Sequence, residues 1–170
     1  MAYELLLARH GDAVDIGGRI STDAERPLSK RGEEEAAAIG VALAKLDLCP
    51  KVILSSPLTR ARQTSEWVLK ALKESQCVPD LIECPELEAG ASPPMFFKAL
   101  QRVSRERRIL IVGHQPDMGR FISFLVSGGS MELQLAVKTG SVAVVEIEEI
   151  PLRSPGRLLA LMPPKVLDRI

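Results

Sequence analysis

A chain of 170 residues is long enough to bury a substantial core and short for more than one domain, so a single domain over residues 1–170 is expected. Hydrophobic residues make up 46% and charged residues 26%, and 22 Lys and Arg balance 22 Asp and Glu. That neutrality argues against nucleic-acid and membrane-surface partners, which call for a basic excess, and no apolar run approaches the roughly 20 residues that span a bilayer.

The start, Met1-Ala2-Tyr3-Glu4, lacks a basic segment followed by a long apolar one, so no signal peptide is expected. Cys49, Cys77 and Cys84 are odd in number and show no CxxC spacing. They predict reduced thiols rather than a disulfide framework or a zinc site, and a cytoplasmic protein.

In chain order, residues 4–8 read as a buried strand ending at Arg9-His10-Gly11, followed by a polar loop through Gly17-Gly18 to Pro27. Residues 29–46 read as a helix, with Ala36, Ile39, Leu43 and Leu46 on one face. A short strand at 52–54 leads to Ser56-Pro57, read as an N-cap and first helical proline, with Ala61, Ser65, Val68 and Leu72 as the inward stripe. A third strand falls at Leu81-Ile82. Ser92-Pro93 repeats the cap-and-proline start, with Phe97, Leu100 and Val103 facing inward. Residues 109–112 form another buried strand, and Pro116 opens a helix carrying Met118, Phe121, Ile122 and Leu125. Residues 133–137, 142–147 and 158–162 read as late strands with antiparallel members. No internal repeat is visible.

Strands alternating with helices predict an α/β fold, a three-layer α/β/α sandwich with a mostly parallel central sheet. Ligands of such sheets bind outside the carboxyl ends of the strands. Arg9-His10, Ser55-Ser56 and Gly113-His114 all fall at strand ends, so the fold reading itself predicts that they converge on one rim. The chain has two histidines, His10 and His114, and both lie there.

A phosphoryl group in transfer carries charge on three oxygens, and its catalysis rests on positioning and electrostatic stabilisation. Arginine suits that task through its planar fork and permanent charge. Arg9 and Arg60 are the candidates, Arg60 being in the first turn of its helix, where free N–H groups also favour an anion. Arg62 points to another face and is expected in a structural ion pair. Histidine can be a nucleophile, splitting one hard displacement into two easier ones. Gly11, without a Cβ, would let backbone approach a ligand closely. A lone histidine at a strand end is most often structural; it is the shared rim that points to chemistry.

RHG after the first strand, SSPLTRARQT (residues 55–64) after the second and VGH (residues 112–114) at a later one resemble the histidine phosphatase superfamily, also called phosphoglycerate-mutase-like. RHGDA, RPLSKRG (residues 26–32), VGHQP and the terminal MPPK are similar to SixA-type phosphohistidine phosphatases, which lack large helical insertions. The resemblance implies that His10 becomes phosphorylated and that Arg9, Arg60 and His114 bind the phosphoryl oxygens. It implies no metal or organic cofactor. It also implies a phosphorylated partner, either a protein carrying phosphohistidine or a small phosphate ester. The oligomeric state is left open.

Many members of that superfamily place an acidic residue in an L-x-E pattern as proton donor to the leaving group. Here Leu87-Glu88 is followed by Ala89, and Glu86 and Glu88 are the adjacent substitutes. An alkoxide leaving group needs protonation badly, whereas an imidazole can leave already protonated. A missing acid therefore favours a P–N substrate such as phosphohistidine. The alternatives are a broad phosphomonoesterase using Glu86 or Glu88, and a phosphate-binding module without catalysis. Asp12 follows RHG where Arg9 or a substrate is within its reach, a structural salt bridge being the expected role, and the loop at residues 12–26 is expected to form the substrate rim.

Overall fold

The computed structural model describes residues 2–170. Its spine is β1 (Tyr3–Arg9), whose Leu5, Leu6, Leu7 and Ala8 are wholly buried, as befits a strand covered on both faces. β1 pairs in parallel with β4 (Arg108–Gly113) on one side and antiparallel with β5 (Val142–Ile147) on the other. β2 (Val52–Ser55) lies parallel beside β4, and β3 (Asp80–Glu83) beside β2. β6 (Arg157–Met162) closes the opposite edge antiparallel to β5, giving the order β3-β2-β4-β1-β5-β6.

Alternation along the strands sorts the core into two layers. Leu5, Leu7, Ile109 and Ile111 face α3 (Pro93–Gln101) and α4 (Asp117–Ser127), where Phe96 stacks on Phe121 with ring centroids 4.4 Å apart. Leu6, Ala8, Leu110 and Val112 face Ile39 and Leu43 of α1 (Lys30–Lys45), Val68 and Leu72 of α2 (Thr59–Glu74), and Leu167 of α5 (Pro164–Leu167). Each fully buried Leu, Ile or Phe side chain contributes about 1.5–3 kcal/mol. The three-layer α/β/α sandwich is therefore as expected. No helix of the described residues is long and apolar enough to cross a membrane.

Register does the positioning. Arg9 lies opposite Gly113 across the β1–β4 ladder, and Ser55 lies opposite Val112 across β2–β4. The residues that follow, His10, Ser56 and His114, thus leave the sheet side by side.

Four local expectations are corrected. Residues 133–137 form no strand: the carbonyls of Leu135 and Val137 accept from the side chains of Gln115 and Arg9 instead of from a neighbouring strand. α2 begins at Thr59 with Leu58 as N-cap, so Ser56 is not a cap; its hydroxyl is engaged elsewhere. Val103 lies beyond the end of α3. Cys49 and Cys77 are not reduced thiols but a disulfide, with Cα atoms 6.0 Å apart. The reason is tertiary: they lie just before β2 and β3, which are sheet neighbours, so a 28-residue separation closes without a local motif. Cys84 is a free, buried thiol. The thiol inventory therefore no longer speaks for a reducing compartment.

Candidate active site

Where β1, β2 and β4 end, a cavity of about 770 Å³ opens, lined among others by Arg9, His10, Asp23, Arg60, Ala89 and His114. His10 is 7% exposed and tied down through its backbone, its N–H donating to Gly113 O and its carbonyl accepting from Gly140 N. Its Nδ1 lies 2.7 Å from the carbonyl oxygen of Gly11. A carbonyl can only accept, so Nδ1 carries the proton and Nε2 carries the lone pair. Arg60 Nε donates to that Nε2 at 3.2 Å. Burial first, then the charges of Arg60, Arg9 and Arg26, lower the imidazole pKa to about 4 against the pull of the Gly11 hydrogen bond. His10 is therefore neutral at physiological pH.

Gly11 owes its place to packing rather than to a ligand: a Cβ there would collide with the backbone of Gly32 in the first turn of α1. That close approach sets α1 against the loop. The Ser29 hydroxyl caps the helix by accepting from Gly32 N, and it donates to the Asp12 carboxylate at 2.6 Å. Asp12 thus pairs with Ser29 and not with Arg9. Gly11 N donates to Thr64 Oγ1, which donates in turn to Arg60 O, linking the loop to α2.

Arg60 is the second residue of α2 and is buried, with 5% of the residue exposed. Besides reaching His10, it donates to the Asp23 carbonyl at 2.7 Å and to Asp23 Oδ2 at 2.9 Å. Arg26 grips the other oxygen of Asp23 at 3.1 Å. Hydrogen bonding to Arg26, then the Arg60 charge, hold the Asp23 carboxyl below the usual carboxylate range. Arg9 reaches the rim from β1, with one terminal nitrogen donating to Val137 O at 3.0 Å and its buried Nε without a partner. Arg62 faces away and pairs with Glu66 at 3.8 Å, the ion pair expected of it.

His114 is 2% exposed, and its ring centroid is 5.2 Å from that of His10 at an interplanar angle of 55°. Nε2 lies 2.7 Å from Ser56 Oγ, and Nδ1 is buried without a partner. Burial, followed by His10 and Arg60, lowers its pKa to about 3. Arg9 Nε and His114 Nδ1 are thus two orphaned nitrogens in residues lining one cavity. Buried polar groups are rarely left so, and two together mark a place where an anion would complete the hydrogen bonding. Among the described residues no three His, Cys, Asp or Glu side chains gather as a metal-binding group would require.

A model of the histidine phosphatase superfamily (branch 1) matches residues 5–88. An uncharacterised protein from Picosynechococcus sp. is 33% identical over 142 residues, covering 78% of this chain and 81% of that protein. The chain belongs to the histidine phosphatase superfamily. The mitochondrial serine/threonine-protein phosphatase Pgam5 of Drosophila ananassae is 30% identical over 93 residues, or 55% of this chain, and the match spans only 30% of that relative's length. In fold, the chain superposes on the protein histidine phosphatase SixA complexed with tungstate at a TM-score of 0.77 and 24% identity, covering 95% of this chain and 97% of that one.

Against its superfamily, this member is informative where acids are concerned. Ala89 lines the cavity, so the position of the L-x-E acid faces the site without a carboxyl. Glu86 is turned toward α3, paired with Lys98 at 3.4 Å and Arg102 at 3.3 Å. Glu88 is exposed and does not line the cavity. Neither substitute is brought to His10. The carboxylates that do line the cavity, Asp12, Asp15 and Asp23, come from the loop after β1. Asp23 was not singled out from the sequence, nor was Ser56 as a partner of His114; Arg26 was legible only as part of RPLSKRG.

Proposed function

We propose that this chain is a phosphatase that forms a covalent phosphohistidine on His10 and acts on protein phosphohistidine. The observation carrying the reading is the His10 ring: Nδ1–H is committed to Gly11 O, so Nε2 of this cavity-lining residue keeps the lone pair, which accepts from Arg60 Nε at 3.2 Å. In the first step that lone pair bonds to phosphorus while the bond from phosphorus to the substrate imidazole breaks. The substrate ring leaves neutral, keeping the proton already on its other nitrogen. The phosphorylated His10 ring gains positive charge, which the Gly11 carbonyl supports. In the second step water bonds to phosphorus, the His10 Nε2–P bond breaks, and both water protons depart with the phosphate. His10 returns to its starting tautomer.

Neither step asks for a carboxylic acid, which suits a site with alanine at position 89. Arg9, Arg60 and His114 bind the phosphoryl oxygens; preorganised donors of this kind are worth most in a buried site. The tungstate complex of SixA supports the reading, tungstate being a tetrahedral oxyanion. No metal or organic cofactor enters the scheme, and the cytoplasm is the compartment proposed, although the Cys49–Cys77 disulfide lends it no support.

The test is to present a phosphohistidine protein, a phosphoserine protein and small phosphate esters to the wild type and to His10→Ala. The expected result is preference for phosphohistidine, labelled phosphate trapped on the wild type, and neither turnover nor trapping in His10→Ala. Turnover retained by His10→Ala would end the proposal. A large preference for small esters would instead favour a phosphomonoesterase.

A further inference from the structure

Ser56 is fully buried and follows directly on β2. Its Oγ accepts from Leu58 N at 3.3 Å and lies 2.7 Å from His114 Nε2. A hydroxyl has a single proton to give. Among the described contacts of Ser56 Oγ, the group able to take it is His114 Nε2. With that arrangement the Ser56 hydroxyl is satisfied as donor and acceptor, and His114 carries its own proton on Nδ1. The opposite arrangement, Nε2–H donating to Oγ, would bury two unpaired functions, the Ser56 O–H and the Nδ1 lone pair. Buried polar networks favour the state with fewer orphans.

We infer that Ser56 is a positioning residue that locks His114 as its Nδ1–H tautomer, so that a neutral N–H donor meets the phosphoryl group. The inference deepens the proposed reaction and rests on it for its purpose, though not for its geometry. The two rings are fixed by opposite nitrogens: His10 is held at Nδ1 and offers the Nε2 lone pair, while His114 is held at Nε2 and offers Nδ1–H. A lone pair from each ring would leave one of them repelling a phosphoryl oxygen. With His114 neutral in the unliganded chain, the tautomer decides whether Nδ1 presents a proton to an arriving phosphoryl group.

Two histidines give four ring nitrogens, so a ¹⁵N-histidine-labelled sample at neutral pH reports both tautomers directly, the rings being told apart with His114→Ala. The wild type is expected to show His114 protonated at Nδ1. Ser56→Ala is expected to release that preference, giving a mixed or Nε2–H ring, and to lower the rate of phosphoenzyme formation about tenfold to a hundredfold with KM little changed. Ser56→Thr keeps the hydroxyl and should retain the Nδ1–H ring; it stands in should Ser56→Ala fail to fold. A wild-type His114 protonated at Nε2 overturns the inference, as does a folded Ser56→Ala protein with unchanged ring spectrum or unchanged rate. These outcomes are separate from those of His10→Ala: trapping that survives loss of His10 defeats the phosphohistidine proposal and leaves the tautomer assignment standing.

Discussion

His10 and His114 are the same residue type, follow neighbouring strands and lie 5.2 Å apart, yet the fold treats them differently. His10 is bound by backbone, a carbonyl one residue away, and its free nitrogen meets a guanidinium. His114 is bound by a side chain 58 residues distant, and its free nitrogen meets nothing. Burial alone would make both rings equally inert. What separates them is which nitrogen the surroundings claim, and with it whether a ring offers an electron pair or a proton.

The most severe way to probe this difference is to delete each ring in turn. His10→Ala should lose turnover by a factor on the order of 10⁴ or more and trap no phosphate. His114→Ala should slow turnover by about 10²–10³, as for loss of an oxyanion donor, while still trapping phosphate on His10. Rapid quench with labelled substrate distinguishes the two, and equal losses of trapping would erase the distinction.

Acidity sharpens it next. Both pKa values lie below the ordinary 6.5, at about 4 for His10 and about 3 for His114. The unfolded chain therefore binds protons between pH 6.5 and 3 that the folded chain refuses. The contribution to stability is whole above pH 6.5 and falls as pH drops through that window. Denaturant titrations across the range test this. Phosphoenzyme formation should keep its rate to about pH 5 and fail near pH 4, when His10 Nε2 is protonated; an acid limb near 6.5 would contradict the structure.

Smaller effects concern the walls around the rings. Ala89→Glu should raise the rate on phosphate esters relative to phosphohistidine about tenfold, a fraction of what a well-placed general acid supplies. Asp23→Ala frees Arg60 from a carboxylate and should tighten binding of inorganic phosphate several-fold, in keeping with the about 1 kcal/mol of an ion pair whose carboxylate is solvent-exposed. Competitive inhibition by phosphate measures the second.

The strands, the helices and the rim were legible because they rest on local signals: apolar runs at β1 and β4, and prolines at residues 93 and 116. Arg9, His10, Arg60 and His114 were legible as residues at strand and helix ends, and the structure brings all four to one cavity. What escaped depends on pairings between distant segments. Ser56 looks like a helix cap until β4 places His114 beside it, and Cys49 looks unpaired until β2 and β3 lie together. Asp23 has no signal at all; only the course of a loop folded back over α2 delivers its carboxylate to Arg60. Residues 133–137 misled for a related reason, since the carbonyls of Leu135 and Val137 serve the side chains of Gln115 and Arg9 rather than a sheet partner.

The Asp23 contact has a thermodynamic meaning as well. Arg60 already holds an anion of the protein's own, so under the proposed reaction a phosphoryl group would gain that arginine by exchange rather than by simple addition. Affinity then measures how much better a phosphoryl dianion suits the guanidinium than a single carboxylate does. On that reading a singly charged bystander such as a free carboxylate gains little over Asp23 at this arginine.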